Sequence, residues 1–507
     1  MSNTASLPVI EDHEVSRGMV TLFIVQIFGT LSYSIIMSSL TLFCSESLHL
    51  STSESLALTG SFLAFNFGLH FLGGYMGGRY ISNRMLFCIG MLFQAIGCVI
   101  LYKATYASLM VGLAVFLTGS GLNVTCMNSM VTQLFTDPED HRREKAFLWN
   151  YSGMNIGFLV GYIVAGFFGK YDLYGTVFAL GGIANIITIL LIAFNWQTVR
   201  DRETYLTELI GKKAKFYFQH AKATGIIITT LLVMLVLMKH AQLSNDILVC
   251  IAIIMVIFAF FIGGTRKTHK EKGRMMAFCF FLIANVIFWT VYQLSPEILM
   301  LFMVHNVDMI IYGVKIQPQW MSNINTIIII FGGPFLAWYF NYLRVKKGKK
   351  VSLPFLFAFA VICMGIAILL QSVGIWFDAD KTGIIGIIWI ILFYVFQSVG
   401  ELCISPIGYA AIGRLVPRKL QNLMMGLWCM MTGVAAIFAS QIGDWAVAGK
   451  SLAEPIVTDP GFAKTFGILG IFTIIMGIVM FMFYPKLYRM INETTDVAID
   501  PKDKKIV

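Results

Sequence analysis

Gly400-Glu401-Leu402-Cys403-Ile404-Ser405-Pro406-Ile407-Gly408 decides how the rest of the chain is read. It lies in an apolar run that starts near Gly383 and continues past Ala411, and Glu401 is the only acid in that run. A carboxylate inside a hydrocarbon-spanning helix is costly to keep, so it marks a functional position by default. Ser405, four residues on, falls on the same helical face. Pro406 removes a backbone donor and tends to bend the helix. An acid, a hydroxyl and a bend on one face suit the wall of a water-filled cavity. The plainer alternative is a glutamate satisfied by a neighbouring helix.

The run is one of many. A mean hydropathy of +0.77 with 13% charged residues over 507 positions excludes a soluble globular protein. Apolar segments near 20 residues long recur along the chain, each long enough to cross a bilayer as a helix. The spacing predicts fourteen spans, near 19–44, 54–78, 84–104, 108–135, 144–168, 174–197, 219–239, 245–264, 275–303, 321–343, 352–375, 383–411, 419–445 and 463–484. Basic residues alternate between the loops. Arg79 and Arg84, HRREK at 141–145, Arg200 to Lys222, TRKTHKEKGR at 265–274, RVKKGKK at 344–350 and Arg414 to Lys419 fall on one side. The opposite loops hold little beyond Lys103, Lys170, Lys239, Lys315, Lys381 and Lys450. By the positive-inside rule both termini are cytoplasmic. The polar first 18 residues lack a signal-peptide core, which agrees with a cytoplasmic start.

Six spans, two, then six again predict an all-α polytopic membrane protein of two six-helix halves with an inserted hairpin. The boundaries are a tail at 1–18, a first half at 19–198, an insert at 199–273, a second half at 274–486 and a tail at 487–507. The insert's apolar stretches carry no acid, proline or asparagine and read as packing or lipid-facing helices. Halves meeting around a midplane site are a common plan of secondary transporters. No phosphate-binding loop, metal-ligand cluster or hydrolytic motif is present, so neither cofactor nor enzymatic chemistry is expected. Gly119-Ser120-Gly121 lies inside a span with no strand before it. The nine cysteines lack paired spacing and read as small buried side chains.

Polar residues within the spans supply the remaining candidates. The first span holds no charge from Thr21 to Cys44, and its Tyr33 has a hydroxyl to offer a ligand. His70 in the second span is either a proton relay or bonded to a neighbour's backbone. Asn155 lies in the fifth span, Trp289 and Gln293 share a face of the ninth, and Asn325 and Trp428 follow. Any one of these is more often packing than site. Together with Glu401 they suit a small ligand with an amine and several amides.

These stretches resemble the proton-dependent oligopeptide transporters, the POT/PTR branch of the major facilitator superfamily. Gly400-Glu401-Leu402-x-x-Ser405-Pro406-x-Gly408 is similar to the signature of that family's tenth helix. Gly73-Gly74-Tyr75 with Arg79, RREKAF at 142–147 followed by Tyr151 and Met154-Asn155-Ile156-Gly157, Phe288-Trp289 through Asn306-Val307-Asp308, and Met425-Gly426-x-Trp428 agree in order. The two-helix insert resembles the bacterial branch, which implies a bacterial inner membrane. The resemblance implies that Glu401 binds the amino terminus of a di- or tripeptide and that Asn155 and Asn325 bind its backbone. It also implies that Tyr33, Trp289 and Trp428 line the cavity, that a proton gradient drives transport, and that one chain works alone. Gln293 and Ser405 complete the candidate set for substrate.

The departures from the pattern bear on mechanism. The family's first-helix motif, E-x-x-E-R-F-x-Y-Y, falls on Gln26 to Ser34, where both acids and the arginine are absent. A further first-helix arginine falls on Met37 and its acidic partner on Gln293. Losing both together avoids an unpaired buried charge worth about 3–5 kcal/mol. The family's fourth-helix lysine falls at about Val124, the acid of its second loop on Gly78, and its arginine before Asn306 on His305. The remaining proton-coupling candidates are Glu401, His70, Glu297 and Asp308. Without a basic partner for a ligand carboxylate, the expected ligand bears an amine or other cation. Three readings stay open: a transporter of peptides or amine-bearing metabolites, an exporter or facilitator of drugs or other metabolites on the same scaffold, and a membrane scaffold or sensor. Membrane lipid is an expected partner and nucleic acid is not.

Overall fold

A computed structural model describes residues 12–135, 141–202, 204–209, 213–266, 268–347, 352–417 and 420–492. Parts of the basic loops and both tail ends lie outside these residues. Among the described residues, fourteen helices are long and apolar enough to cross a membrane. They are α1 (Asp12–Leu42), α2 (Thr52–Met76), α3 (Asn83–Leu101), α4 (Tyr106–Gln133), α5 (His141–Gly169), α6 (Tyr174–Phe194), α7 (Lys213–Lys239) and α8 (Ala241–Gly264). A ninth span is split into α9 (His269–Gln293) and α10 (Ile298–His305), and α11 (Pro318–Lys347), α12 (Leu353–Asp378), α13 (Ile388–Leu415), α14 (Gln421–Val447) and α15 (Pro455–Met482) complete the set.

Several helix ends differ from the hydropathy reading, each for a local reason. α1 is already helical at Asp12, ahead of the expected start near 19, and its first described turn is tied down where Asp12 pairs with Arg142 at 2.6 Å and Glu14 with Arg202 at 3.8 Å. α15 starts at Pro455, a residue suited to the first turn of a helix. α13 starts at Ile388 because Ile385–Gly386 forms strand β4, paired in parallel with β1 (Val307–Asp308). Between β1 and α11, β2 (Ile310–Ile311) and β3 (Val314–Lys315) make a hairpin turning at Tyr312 and Gly313. Both turn residues have positive φ, 48° and 79°, which this tight hairpin requires. The expected single helix over 275–303 is interrupted at Ser295-Pro296-Glu297, where proline cannot supply the backbone donor that continues the ladder. α16 (Tyr484–Asn492) occupies part of the expected tail, with Leu487 and Ile491 buried one turn apart.

The chain divides into two compact units. One joins the residues up to Met37 with Leu69–His240, and the other joins Ser38–Gly68 with the residues from Ala241 on. The inserted pair is shared, since α7 packs on α4 in the first unit and α8 on α9 and α14 in the second.

In the first unit close helix contact depends on small residues, as expected where lipid offers no hydrophobic drive between helices. On α5, Gly153, Gly157 and Gly161 recur every four residues along the face against α1. A Cβ at Gly157 would lie 2.5 Å from the Ile27 carbonyl oxygen, and one at Gly153 would lie 2.8 Å from that of Phe23. Gly119 takes up the same role, facing Gly90 of α3. The linker after α6 is tied to the turn between α2 and α3. Leu206 N–H donates to the Gly78 carbonyl at 2.9 Å, and the Asp201 carboxylate accepts from Asn83 N–H at the start of α3 at 2.9 Å.

In the second unit the far ends of α1 and α2 are packed into the helices from α8 on. Thr41 Oγ1 donates to the Pro296 carbonyl at 2.7 Å, and Gly433 on α14 faces Ala64 with room for no Cβ. Ser61 Oγ donates to Asn245 Oδ1 on α8 at 2.8 Å, so the insert contributes a buried polar anchor as well as an apolar face. His305 Nε2 lies 3.4 Å from a Glu46 carboxylate oxygen.

Candidate functional site

Glu401 sits within a polar stripe on α13. Tyr394, Ser398, Glu401 and Ser405 are spaced by four, three and four residues, so their side chains line one face. Asn325 on α11 meets that face, and its Nδ2 donates to Glu401 Oε2 at 2.9 Å and to Ser398 Oγ at 3.1 Å. The Tyr292 hydroxyl on α9 donates to the same carboxylate. Ser398 Oγ in turn donates to the Tyr394 carbonyl at 2.5 Å. Further along, the buried Tyr394 hydroxyl accepts from Ser295 at 2.9 Å and shares a bond with Ser322 at 3.3 Å.

Neutral donors from two helices, α11 and α9, therefore converge on a carboxylate carried by a third, α13. No lysine or arginine stands among these partners, so the charge of Glu401 is solvated by an amide and a phenol and stays available to a cation. Charge-assisted bonds are about twice as strong as neutral ones and orient the group that accepts them. Glu401 as a residue is only partly buried.

The other predicted residues fall into distinct places. Trp289 is near, its ring 4.7 Å from that of Tyr292 and 6.4 Å from that of Phe67. Gln293, one turn beyond on α9, is buried. The Ser405 hydroxyl is buried with no partner among the described residues. Trp428 belongs to the core of its unit, between Phe278 and Phe357 and tight against Gly408. Its face reaches ring neighbours rather than the Glu401 network. Asp308 lies beyond the end of α10 in β1, exposed, where its carboxylate accepts from Ile310 N–H at 3.1 Å. That is a turn-forming bond, and it leaves this proton-coupling candidate outside the membrane-spanning helices. Glu297 stands at the helix break just before α10, fully buried, and neither carboxyl oxygen has a partner among the described residues.

Tyr33, His70 and Asn155 belong to the first unit. Tyr33 stands edge-on to Phe158 with centroids 6.1 Å apart. Asn155 Nδ2 donates to the Tyr151 carbonyl one turn back at 2.9 Å, leaving its Oδ1 to accept elsewhere. The His70 carbonyl accepts from Thr125 Oγ1 at 3.3 Å, which holds α2 to α4.

Sequence reasoning missed Tyr292, Ser295, Ser322, Tyr394 and Ser398. Three of them carried a signal, since Ser398 and Tyr394 lie three and seven residues before Glu401 on one face. Ser322 and Asn325 have the same relation on α11. Ser295 had none, because its bond to Tyr394 spans 99 residues.

Comparison with known proteins adds to this geometry. The chain is 27% identical over 498 residues to dipeptide and tripeptide permease A of Klebsiella pneumoniae, covering 96% of this chain and 95% of that one. Dipeptide and tripeptide permease B of Photorhabdus luminescens is also 27% identical, covering 93% of this chain and 96% of its own. Among solved structures, a peptide transporter POT in complex with sulfate superposes with a TM-score of 0.79 at 22% identity, covering 94% and 95% of the two chains. A POT family transporter in complex with 5-aminolevulinic acid gives 0.77 at 20% identity, covering 93% and 96%. These likenesses show the transporter fold of two six-helix halves with a two-helix insert. A family model described as PTR2, POT family, matches residues 84–458, and the chain belongs to the POT family.

Proposed function

We propose that this protein is a secondary active transporter that moves di- and tripeptides, or related amine-bearing small molecules, across the membrane by alternating access. The observation that carries the reading is the Glu401 carboxylate held by Asn325 Nδ2 at 2.9 Å, with a neutral set of donors around it. A ligand ammonium replaces water on that carboxylate, and Asn325 fixes the free lone pairs toward it. The permease names of the similar chains support peptide substrates. Transport needs no cofactor and no covalent chemistry. The proton gradient drives it, with both termini cytoplasmic in a bacterial inner membrane and one chain acting alone.

Coupling is altered in this chain. The first span holds no acid or arginine from Thr21 to Cys44, so the titrating groups left are Glu401, Glu297 and His70. The same absence leaves a ligand carboxylate without a cationic partner, so ligands that present a cation and mask the carboxylate bind best. Uptake of labelled dipeptides and their carboxy-amides into vesicles, with and without an inward pH gradient, tests the reading. Gradient-driven uptake that is lost in Glu401→Gln is the expected result. Uptake of unmodified dipeptides undiminished by that substitution refutes it. The absent first-helix charges favour a second reading, a facilitator or exporter of other metabolites, which predicts uptake indifferent to the pH gradient.

A further inference from the structure

A cavity of about 710 Å³ opens at the far end of α2, lined by the turn into α3, the linker after α6 and the first turns of α7. Its walls carry Arg79 and Lys222, with Tyr80, Tyr205 and Gln219 between them. Both cations sit where apolar sequence begins or ends. Arg79 follows the last turn of α2, and Lys222 is the last charged residue before the apolar run of α7. That level in a spanning helix is the interfacial one, where long basic side chains reach headgroups.

Neither cation meets a carboxylate among the described residues; the ion pairs found there join Arg142 to Asp12, Arg202 to Glu14 and His305 to Glu46. Aromatic faces accompany them instead. The Arg79 guanidinium lies 5.2 Å from the Tyr75 ring centroid and 5.4 Å from that of Tyr80, while Lys222 Nζ lies 5.9 Å from the Tyr80 ring. Two cations thus converge on Tyr80, whose hydroxyl is tied to that of Tyr75 at 2.9 Å. One turn before Lys222, Gln219 Oε1 is buried with no partner among the described residues, an acceptor awaiting a donor.

The floor is built in advance. Gly78, at φ 69°, donates to the Ile81 carbonyl and accepts from Leu206, and a Cβ there would lie 2.8 Å from Thr204 Cγ2. Two positive groups beside a stray acceptor, at headgroup depth, match a phosphodiester that also carries a hydroxyl or ammonium. Tyr217 and Phe218, just before Gln219 on α7, are exposed, as residues bordering acyl chains would be.

We propose that this cavity binds a phosphate-bearing anion, with Arg79 and Lys222 on the phosphate oxygens and Gln219 accepting from the neighbouring donor. The source is a phospholipid headgroup or free phosphate, and the site stands apart from Glu401. The test is thermal unfolding of the full chain in a phosphate-free, non-phospholipid detergent. Titrants are short-chain phosphatidylglycerol, inorganic phosphate and short-chain diacylglycerol. A saturable rise in melting temperature with phosphatidylglycerol is expected, about fivefold weaker in apparent affinity for each of Arg79→Gln and Lys222→Gln. Lys222→Arg and Lys213→Gln should keep the rise. All three positions are exposed, so melting without titrant reports whether each variant folds. Equal stabilisation by inorganic phosphate, lost in the same two variants, supports the site with the soluble anion as its source. No saturable rise with either phosphate compound, a rise that diacylglycerol reproduces, or a rise unchanged in both variants overturns the proposal.

Discussion

Removing Asn325 should expose how firmly the second unit holds its one spanning carboxylate on α13. Asn325 Nδ2 makes two bonds, at 2.9 Å to Glu401 and 3.1 Å to Ser398. A hydrogen bond to a charged group contributes about 1.5–3 kcal/mol and a neutral one about 0.5–1.5 kcal/mol. Glu401 is partly exposed, which places its bond at the lower end. Asn325→Ala is therefore expected to cost about 2–3 kcal/mol. Glu401→Gln keeps an acceptor in the same place and loses only the assistance of charge, about 1 kcal/mol by the difference of those ranges. In the Glu401→Gln background, Asn325→Ala should then cost about 1–2 kcal/mol, leaving a coupling of about 1 kcal/mol. Thermal unfolding of the four proteins in detergent at neutral pH measures the cycle. Additivity within about 0.3 kcal/mol would mean that the two side chains do not sense one another, and the account of Glu401 as a carboxylate oriented by Asn325 would fall.

Three further outcomes can be checked by the same unfolding assay. Gly157→Ala should lower stability by about 1–3 kcal/mol, because its Cβ meets a backbone oxygen at 2.5 Å that cannot give way. Gly225→Ala on α7, with nothing within 4 Å, should gain up to about 1 kcal/mol, and equal effects at the two sites would refute the close-contact account of α5. Burial raises the Asp201 carboxyl above its ordinary value, outweighing the bonds from Asn83. An acid raised on folding costs stability fully above its folded value, so stability should recover as pH falls through that value and level off below the unfolded one. Asp201→Asn should flatten that acid-side gain, and an unchanged pH profile counts against the assignment. Glu297→Gln should unfold at the same temperature or higher, since a buried carboxyl without donors adds no stability. A marked loss would reveal a partner that holds it.

Much of this architecture was open to reading before any coordinates. All fourteen spans are present because each is a single long apolar run, and hydrocarbon thickness sets a minimum that loops cannot imitate. Glu401 and Asn325 stood out for the same reason, as polar groups where polar groups are expensive. What escaped was local chemistry at the edges and pairing at a distance. The ion pairs that reach α1 at Asp12 and Glu14 come from Arg142 and Arg202, far along the chain, and α15 starts at a proline suited to its first turn. Pro296 marked the break in the ninth span plainly, yet hydropathy averaged over it. Trp428 was drawn in as an aromatic within a span and Asp308 as a remaining acid, whereas packing against Phe278 and Phe357 and a turn bond to Ile310 occupy their side chains. Tyr292 and Ser295 could be placed beside α13 only by the fold itself.

The membership of residues 38–68 in the second unit changes what counts as a separable piece. Gly433 and Gly60 allow the α2 and α14 backbones to approach closely, with Ala64 and Ser440 as their near neighbours, and Gly443 makes room for Ile298 of α10. A gene cut between His240 and Ala241 would produce a carboxy-terminal fragment missing a strip of its own interior. Such a fragment should be degraded when expressed alone and rescued when the amino-terminal piece is supplied beside it. Swapping whole six-helix halves between relatives would meet the same obstacle. The exchangeable module here is not a half of the gene but a half plus one borrowed hairpin, and a recombination library designed on sequence symmetry alone would cut through it.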